Sequence, residues 1–274
     1  MFRIGNDIRL PQPTGGRRHP EARGISRGSI IGILLLISLL SCNVGTNKLE
    51  SRTEVFHQKA CHGEYCAEVN LKYPVFLGER ERSIVLNNLI EEKIIKTVNV
   101  YEEIKVTEII DAATNFLDSY VEFMDDFESA QDWEINLDAK VTFENEKIIS
   151  IVFETYSFTG GAHPNSFRKY LNFDKQKNTE IDNISLIIDE QILLEIAESK
   201  FKEIHQVEND IPLKKTEMFF LDENDKFFLP TAIGFESDSL VLFYNSYEIG
   251  PYVMGTTEIK FAKSEMKGIV NLYK

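Results

Sequence analysis

The sequence contains only three cysteines, and its leader carries an apolar run of just eleven residues, Ile30 to Leu40. A helix of that length rises about 16 Å, roughly half of the hydrocarbon core, so it is too short to span a membrane. Nucleotide-binding glycine motifs are also missing. Gly160 and Gly161 are followed neither by the Gly-Lys-Ser/Thr of a phosphate-binding loop nor by the third glycine of a dinucleotide fingerprint. No serine elbow and no nearby set of histidine and carboxylate ligands accompanies them, which argues against catalysis there.

Residues 1–41 predict an export signal and not part of the fold. A basic stretch, Arg17 to Gly28, precedes the apolar run, and Ser41 and Cys42 follow that run directly. A positive region, a short apolar region and a small residue before the cut are typical of a secretory signal peptide. The letters LLSC resemble a bacterial lipobox, which predicts that Cys42 is lipidated and anchors an extracytoplasmic protein to a membrane. The alternative is an ordinary cleaved signal followed by an incidental cysteine.

The chain is acidic, with a formal net charge of −14 at pH 7. Residues 1–41 hold six arginines and two acidic residues, so the remainder keeps 24 basic and 42 acidic residues, a net charge of −18. This balance argues against a nucleic-acid partner, because such binding depends on cationic neutralisation of phosphates. It also disfavours adhesion to anionic lipid, which leaves membrane attachment to the lipid anchor. The acidic surface suits a cationic partner, or it merely keeps the protein soluble.

The other two cysteines, Cys61 and Cys66, lie five positions apart. In an oxidising compartment they predict a small-loop disulfide of modest stabilising effect. The alternative is a metal site with the neighbouring His57 and His62, although the spacing matches no standard zinc pattern.

The remaining chain predicts an α+β fold, with antiparallel sheets and packed amphipathic helices. Residues 42–58 are polar and aperiodic, which predicts a tether. Apolar residues at helical spacing predict three helices: Ser83–Val100, Thr107–Ser129 and Asp189–Val207. Strand signals come in groups that are separate from the helices, a grouping that favours α+β over a βαβ alternation.

Alternating apolar and polar residues predict the strands. The clearest case runs from Trp133 to Phe158, where a turn near Asn145 predicts an antiparallel hairpin with one buried face. Further strands are predicted at Ala67–Phe76, at Phe167–Asp174 and, between turns, over Lys226–Ala262.

The segment TGGAHP, Thr159 to Pro164, follows that hairpin. Gly160 and Gly161 permit positive φ and a close approach of the backbone to a ligand or to another strand. Pro164 favours an extended conformation at His163. His163 is either a base or ligand, or a loop residue that bonds backbone and fixes a corner at the seam between two halves of the fold. We favour the structural corner, which could border a recognition surface.

The letters YSFTGGAHPNS resemble the Y-x-Y-T-G-G-A-H-G signature of a bacterial envelope domain pair. That pair occurs in the extracytoplasmic part of the lysozyme-sensing anti-sigma factor RsiV and in the non-catalytic N-terminal region of PdaC-type peptidoglycan deacetylases. The segments KYLNFDKQKNTEIDNISLI and FFLPTAIGFESDSLVLFYNSYEIGPYVMGTTEIKF are similar to later blocks of the pair, and the resemblance covers roughly Cys66 to Ala262. It implies a PdaC-like half at 59–160 and an RsiV-like half at 161–274. Pro164 departs from the pattern, which has glycine there.

The chain shows no deacetylase catalytic module, no metal-binding Asp and His set and no sigma-binding segment. The resemblance therefore implies a non-enzymatic recognition module in the cell envelope, with no cofactor. Its expected partner is a peptidoglycan fragment or a cationic, lysozyme-like protein. Candidate binding residues are Gly160, Gly161, His163 and two loop tyrosines, Tyr247 and Tyr252. The alternatives are a cell-wall-directed hydrolase, whose acids could lie far apart in sequence, and a structural lipoprotein without soluble ligand.

Overall fold

The computed structural model describes residues 48–78, 80–99, 106–127 and 131–271. The strands are β1 (Ser51–His62), β2 (Tyr65–Phe76), β3 (Trp133–Glu144), β4 (Ile148–Phe158), β5 (Asn165–Asp174), β6 (Thr179–Ile181), β7 (Ala232–Glu236), β8 (Ser239–Tyr244) and β9 (Thr257–Ala262). The helices are α1 (Glu81–Val98), α2 (Ile109–Asp126) and α3 (Glu190–Ile204). No helix within these ranges combines the length and the apolar character needed to cross a membrane.

Strands β1 to β6 form one six-stranded sheet in sequence order. Neighbouring strands are antiparallel except β2 and β3, which run parallel. Parallel neighbours need a long crossover, and α1 and α2 lie in the connection between these two strands. The α+β class is confirmed, whereas the expectation of purely antiparallel sheets is corrected to one mixed and one antiparallel sheet.

Helices α1 and α2 cover one face of this sheet, as their apolar spacing predicts. In α2, Phe116, Leu117, Tyr120 and Met124 are buried and pack against inward residues of the sheet such as Ile135. The intervening acids of α2 are exposed, among them Asp118, Glu122 and Asp125. The predicted amphipathic stripe is therefore confirmed.

The predicted hairpin is β3 and β4, and its two faces pack differently. Ile151 and Phe153 of β4 belong to the core under the helices, whereas Val152 between them points to the opposite face. There Val152 and Tyr170 pack against Ala232, Val241 and Phe243 of the second sheet. The second sheet, in the order β7-β8-β9, therefore lies over the face of the first sheet that the helices leave free.

The second sheet has its own core with α3. Asp189 caps this helix by accepting a hydrogen bond from the Ile192 backbone at 3.0 Å. Leu193, Ala197 and Phe201 then bury one stripe against the sheet. The predicted third helix is thus confirmed, with Asp189 as its N-cap.

The structure corrects one boundary predicted from the sequence and locates a second one. The tether expected over residues 42–58 is wrong for Ser51 to Gln58, because these residues lie in β1 and pair with β2. The expected division between residues 160 and 161 falls in the turn between β4 and β5. The six-stranded sheet therefore contains strands from both halves.

Candidate functional site

The turn between β4 and β5 holds the segment TGGAHP and is a sharp corner. Gly160 and Gly161 have φ of 89° and 103°, the left-handed region that favours glycine. A Cβ on Gly160 would lie 2.5 Å from Nε2 of Gln131, so glycine also permits the close approach of that side chain. The corner that the two glycines predict is therefore present, and it turns the chain back along β4.

His163 follows these glycines and is exposed. Its Nδ1 lies 3.1 Å from the carbonyl oxygen of Pro164, an acceptor that suits the tautomer protonated at Nδ1. Its ring stacks on Tyr252, with 3.9 Å between centroids and 15° between planes. The Tyr247 hydroxyl lies 3.4 Å from Nε2. His163 thus contacts both tyrosines that the sequence singled out.

Tyr247 and Tyr252 lie in the loop between β8 and β9, which is fixed by side-chain bonds to backbone. The Asn245 carboxamide accepts from the Arg168 amide at 2.7 Å and donates to the Arg168 carbonyl at 3.0 Å. These are the two hydrogen bonds that the backbone of a neighbouring strand would make. The Glu248 carboxylate accepts from the amides of Asn245, at 2.8 Å, and Thr231, at 2.6 Å. The loop is therefore attached both to β5 and to the segment before β7.

We call His163, Tyr247, Tyr252 and Val253 the aromatic patch. Tyr247 is 56% exposed and Val253 is 91% exposed. Tyr247 has φ of 67°, a strained value for a bulky residue that the surrounding loop must hold. The Tyr252 hydroxyl reaches to 3.4 Å from the Pro164 carbonyl, which joins the two loops. Chemically, the patch offers ring faces, two phenol hydroxyls and an imidazole at the surface.

The structure contains the predicted disulfide between Cys61 and Cys66, which are opposite each other at the end of the β1–β2 hairpin. Because the sulfurs are bonded together, they are not available as metal ligands, and the alternative metal site at this place is wrong. His57 instead bonds Asn70, and His62 lies 3.1 Å from Asp125. Within the described ranges, no group of three or more His, Cys, Asp or Glu side chains is placed to hold a metal ion. Cys42 and residues 1–41 lie outside the described residues.

Two protein families match this chain in tandem. Residues 61–166 match the family described as Deacetylase PdaC, and residues 173–264 match DUF3298, a protein of unknown function. The chain pairs a PdaC-type region with a DUF3298 domain. The resemblance that the sequence motifs predict is thereby confirmed for the PdaC-type N-terminal region and its DUF3298 partner.

The relatives of this PdaC–DUF3298 pair include an enzyme. The peptidoglycan-N-acetylmuramic acid deacetylase PdaC of Bacillus subtilis strain 168 is 28% identical over 141 residues, which are 50% of this chain and 29% of that protein. The chain thus spans less than a third of the curated relative it matches. The likeness indicates an envelope-associated, extracytoplasmic domain.

Two solved structures share the fold of the PdaC–DUF3298 pair. A DUF3298 family protein from Pseudomonas aeruginosa PAO1 has a TM-score of 0.63 at 20% identity, covering 83% of this chain and 97% of that one. A member from Bacteroides fragilis NCTC 9343 has a TM-score of 0.64 at 16% identity, covering 82% and 95%. At these identities the likeness shows the fold alone.

The aromatic patch is built across both family regions. His163 lies in the residues matched to PdaC, whereas Tyr247 and Tyr252 lie in those matched to DUF3298. Arg168, in the short stretch between the two matches, joins the regions electrostatically. Its guanidinium lies 2.7 Å from Glu154 on β4, 2.7 Å from Glu258 on β9 and 4.1 Å from the centre of the Phe243 ring. The patch therefore depends on the packing of one region of the pair against the other.

Where the two regions meet, the surrounding groups favour the charged forms of two carboxylates, those of Glu154 and Glu236. Burial by itself would raise the pKa of Glu154, but hydrogen bonds from Lys140 and Arg168 bring that pKa below its usual value. Burial opposes the charge of Glu236 in the same way, and a hydrogen bond from Tyr170 is the first of several contacts that lower its pKa. These carboxylates are therefore ionised and paired, as structural anchors are.

One group of surface residues is not predicted by the sequence. His57, Asn70, Asn136 and Tyr156 line a groove on the open part of the six-stranded sheet. The alternation in β3 did indicate that Asn136 lies on the polar face, opposite the core. The sequence does not indicate that β1, β2 and β4 place polar side chains beside it, because the pattern up to Gln58 predicts a tether and no local pattern indicates the parallel pairing of β2 with β3.

Proposed function

We propose that the protein is a non-enzymatic recognition module of the cell envelope, lipid-anchored through Cys42, which binds its partner with the aromatic patch. The partner class is a peptidoglycan fragment or a cationic, lysozyme-like protein. One observation carries the proposal: His163, Tyr247 and Tyr252, far apart in sequence, converge into one exposed cluster with direct contacts. Clustered exposed aromatic residues are the kind that dominate binding energy at interfaces.

The patch is preorganised, which supports a binding role. Glu248 and Asn245 fix the loop of the tyrosines by bonds to backbone atoms. Tyr247 has a positive φ that the surrounding loop must hold, and its ring is 56% exposed. A surface that is already ordered loses little conformational freedom on binding, and this raises affinity.

The acidic character supports a cationic partner. The chain after residue 41 has a net charge of −18, counted from its sequence. Such a charge attracts a basic protein over distance and raises its association rate. Because the screening length falls from about 10 Å at 0.1 M salt to about 3 Å at 1 M, the association rate should fall as salt rises.

The test measures binding of residues 43–274 to a c-type lysozyme and to purified muropeptides by surface plasmon resonance at two salt concentrations. We expect saturable binding of one probe, and an affinity about tenfold lower for the Tyr247→Ala/Tyr252→Ala double variant, since central aromatic residues dominate such interfaces. Tyr65→Ala is the matched control, because Tyr65 is 37% exposed at the β1–β2 turn, outside the patch. Unchanged affinity of the double variant, or no binding of either probe, would overturn the proposal.

The anchor has a separate test. Cys42→Ser removes the thiol that would carry the lipid, so the full-length protein should move from the membrane fraction to the soluble fraction. Incorporation of a labelled fatty acid should be lost in the same variant. A protein that stays in the membrane fraction without Cys42 would contradict lipid anchoring at this residue.

A further inference from the structure

A groove of about 560 Å³ lies on the part of the six-stranded sheet that the second sheet leaves open. Its floor is formed by residues of β1 to β5, and Phe243, Asn245 and Thr256 form the wall at one side. The volume falls within the range of small-molecule binding sites. The loop that holds Tyr247 and Tyr252 runs between Asn245 and Thr256, so the groove and the aromatic patch share this loop but not their contact residues.

A row of uncharged polar residues crosses the floor. His57, Asn70, Asn136, Tyr156 and Ser166 are successive partners in register on five adjacent strands. Because adjacent strands lie about 4.8 Å apart, four spacings give the row a length of roughly 19 Å. An extended ligand can therefore lie across the strands and meet each of them.

The row is oriented by its own hydrogen bonds. His57 Nδ1 lies 2.6 Å from Asn70 Oδ1, and Asn70 Nδ2 donates to Asn136 Oδ1 at 2.9 Å. Asn136 Nδ2 in turn donates to Glu134. Each amide is thus held in a defined direction, a preorganisation that a polar ligand can use.

The next row on the floor is charged, but its charges are paired. Lys72 Nζ lies 3.7 Å from Asp138, and Arg168 lies 2.7 Å from Glu154. Two cations and two anions side by side give the residues that line the groove no excess of either sign, and the Glu134 carboxylate lies next to this lining. The groove therefore favours a ligand without net charge over an anion.

Tyr156 supplies an apolar surface inside this polar row. It is 37% exposed and lies between Asn136 and Ser166 in register. A flat ring beside uncharged donors and acceptors is complementary to a sugar ring, which has an apolar C–H face and a rim of hydroxyl groups. An extended peptide would pair with the edge of a sheet and not with its face.

We propose that this groove binds an uncharged oligosaccharide that crosses the strands and stacks one sugar on Tyr156. The amides of Asn70 and Asn136 and the ring of His57 bond its hydroxyl groups. This site is separate from the aromatic patch, and the proposal does not rest on the partner assigned there.

The experiment titrates residues 43–274 with chitotetraose and with cellotetraose, two uncharged probes, by calorimetry and by NMR chemical-shift mapping. We expect saturable binding of at least one probe, with shifts at His57, Asn70, Asn136 and Tyr156. Tyr156→Ala should weaken binding about tenfold, because it removes the stacking ring. Tyr156→Phe keeps the ring and should retain most of the affinity, which separates loss of contact from loss of folding.

Two controls separate this site from the patch. Tyr65→Ala and Tyr247→Ala, both outside the groove lining, should bind the oligosaccharide like the parent chain. Failure of both probes to bind at millimolar concentration would overturn the proposal. Equal affinity of Tyr156→Ala and the parent, or shifts confined to the aromatic patch, would do the same.

Discussion

Glu144 and Lys175 form an ion pair in the interior, and breaking this pair should lower the free energy of unfolding substantially. The Lys175 side chain is 1% exposed and that of Glu144 is 8% exposed, with 2.8 Å between Nζ and Oε1. Lys175 also donates to the Asn145 carbonyl at 2.9 Å, and Glu144 also accepts from the Leu49 amide at 2.8 Å. The pair therefore ties the end of β3 to the β5–β6 turn and to the segment that leads into β1.

Glu144→Gln keeps the shape and an acceptor oxygen but removes the negative charge. Lys175 then loses the carboxylate that contacts its ammonium group, and removal of one partner of a buried ion pair typically costs 3–5 kcal/mol. Because the amide oxygen can still accept from Lys175, we expect the lower end, a loss of about 3 kcal/mol in the free energy of unfolding. Urea denaturation followed by circular dichroism measures it, with an unchanged slope showing that two-state unfolding is kept.

The double variant Glu144→Gln/Lys175→Met provides the control. Removing both charges avoids leaving one member of the broken pair charged in the interior, so the double variant should be more stable than Glu144→Gln alone. Lys96→Met is a matched surface control, since Lys96 is 73% exposed and its pair with Glu92 should contribute less than 1 kcal/mol. A loss below about 0.5 kcal/mol in Glu144→Gln, as at an exposed pair, would refute the reasoning.

Three further predictions concern stability. Gly234→Ala should cost about 2 kcal/mol in thermal unfolding, because its Cβ would lie 2.1 Å from Cδ1 of the Tyr170 ring; a wild-type melting temperature would contradict that packing. Cys61→Ser/Cys66→Ser should lower the free energy of unfolding by about 2 kcal/mol, as expected for a short closed loop. Reduction of the disulfide in the parent chain should lower it by the same amount. Burial lowers the pKa of His205 in the folded state. The unfolded chain therefore takes up the proton first as pH falls below about 6.5, and the folded state should lose stability there. His205→Gln should remove this part of the pH dependence of the free energy of unfolding.

The sequence predicted the elements whose burial follows a simple period. The stripe of α2 and the alternation of β3 bury against one core, so period and structure agree. Strand β1 was missed because its helix-facing positions include Glu54 and Gln58 beside Phe56, which breaks the alternation of apolar and polar residues. What makes β1 a strand is pairing, with all twelve of its residues in register with β2.

The candidate site was predictable only in its parts. The glycines of TGGAHP indicate a corner and the tyrosines of the last loop indicate surface aromatics, but local patterns carry no information on distance between segments. The contact between these two segments depends on Asn245, whose side chain takes the place of a backbone group and pairs with the backbone of Arg168 on β5. Nothing in the letters around Asn245 distinguishes this role from that of any turn asparagine.

The same contact explains why the aromatic patch needs both regions of the chain. Asn245 is 2% exposed, so its two bonds to Arg168 are shielded from water and fix the last loop against β5. Arg168 stands two residues after Ser166 on β5, close to the corner that carries His163. The position of His163 relative to the tyrosines is therefore set through Arg168 and Asn245, in addition to the contacts among the patch residues themselves. Loosening that attachment should disperse the patch while leaving the fold and the groove row from His57 to Asn136 in place.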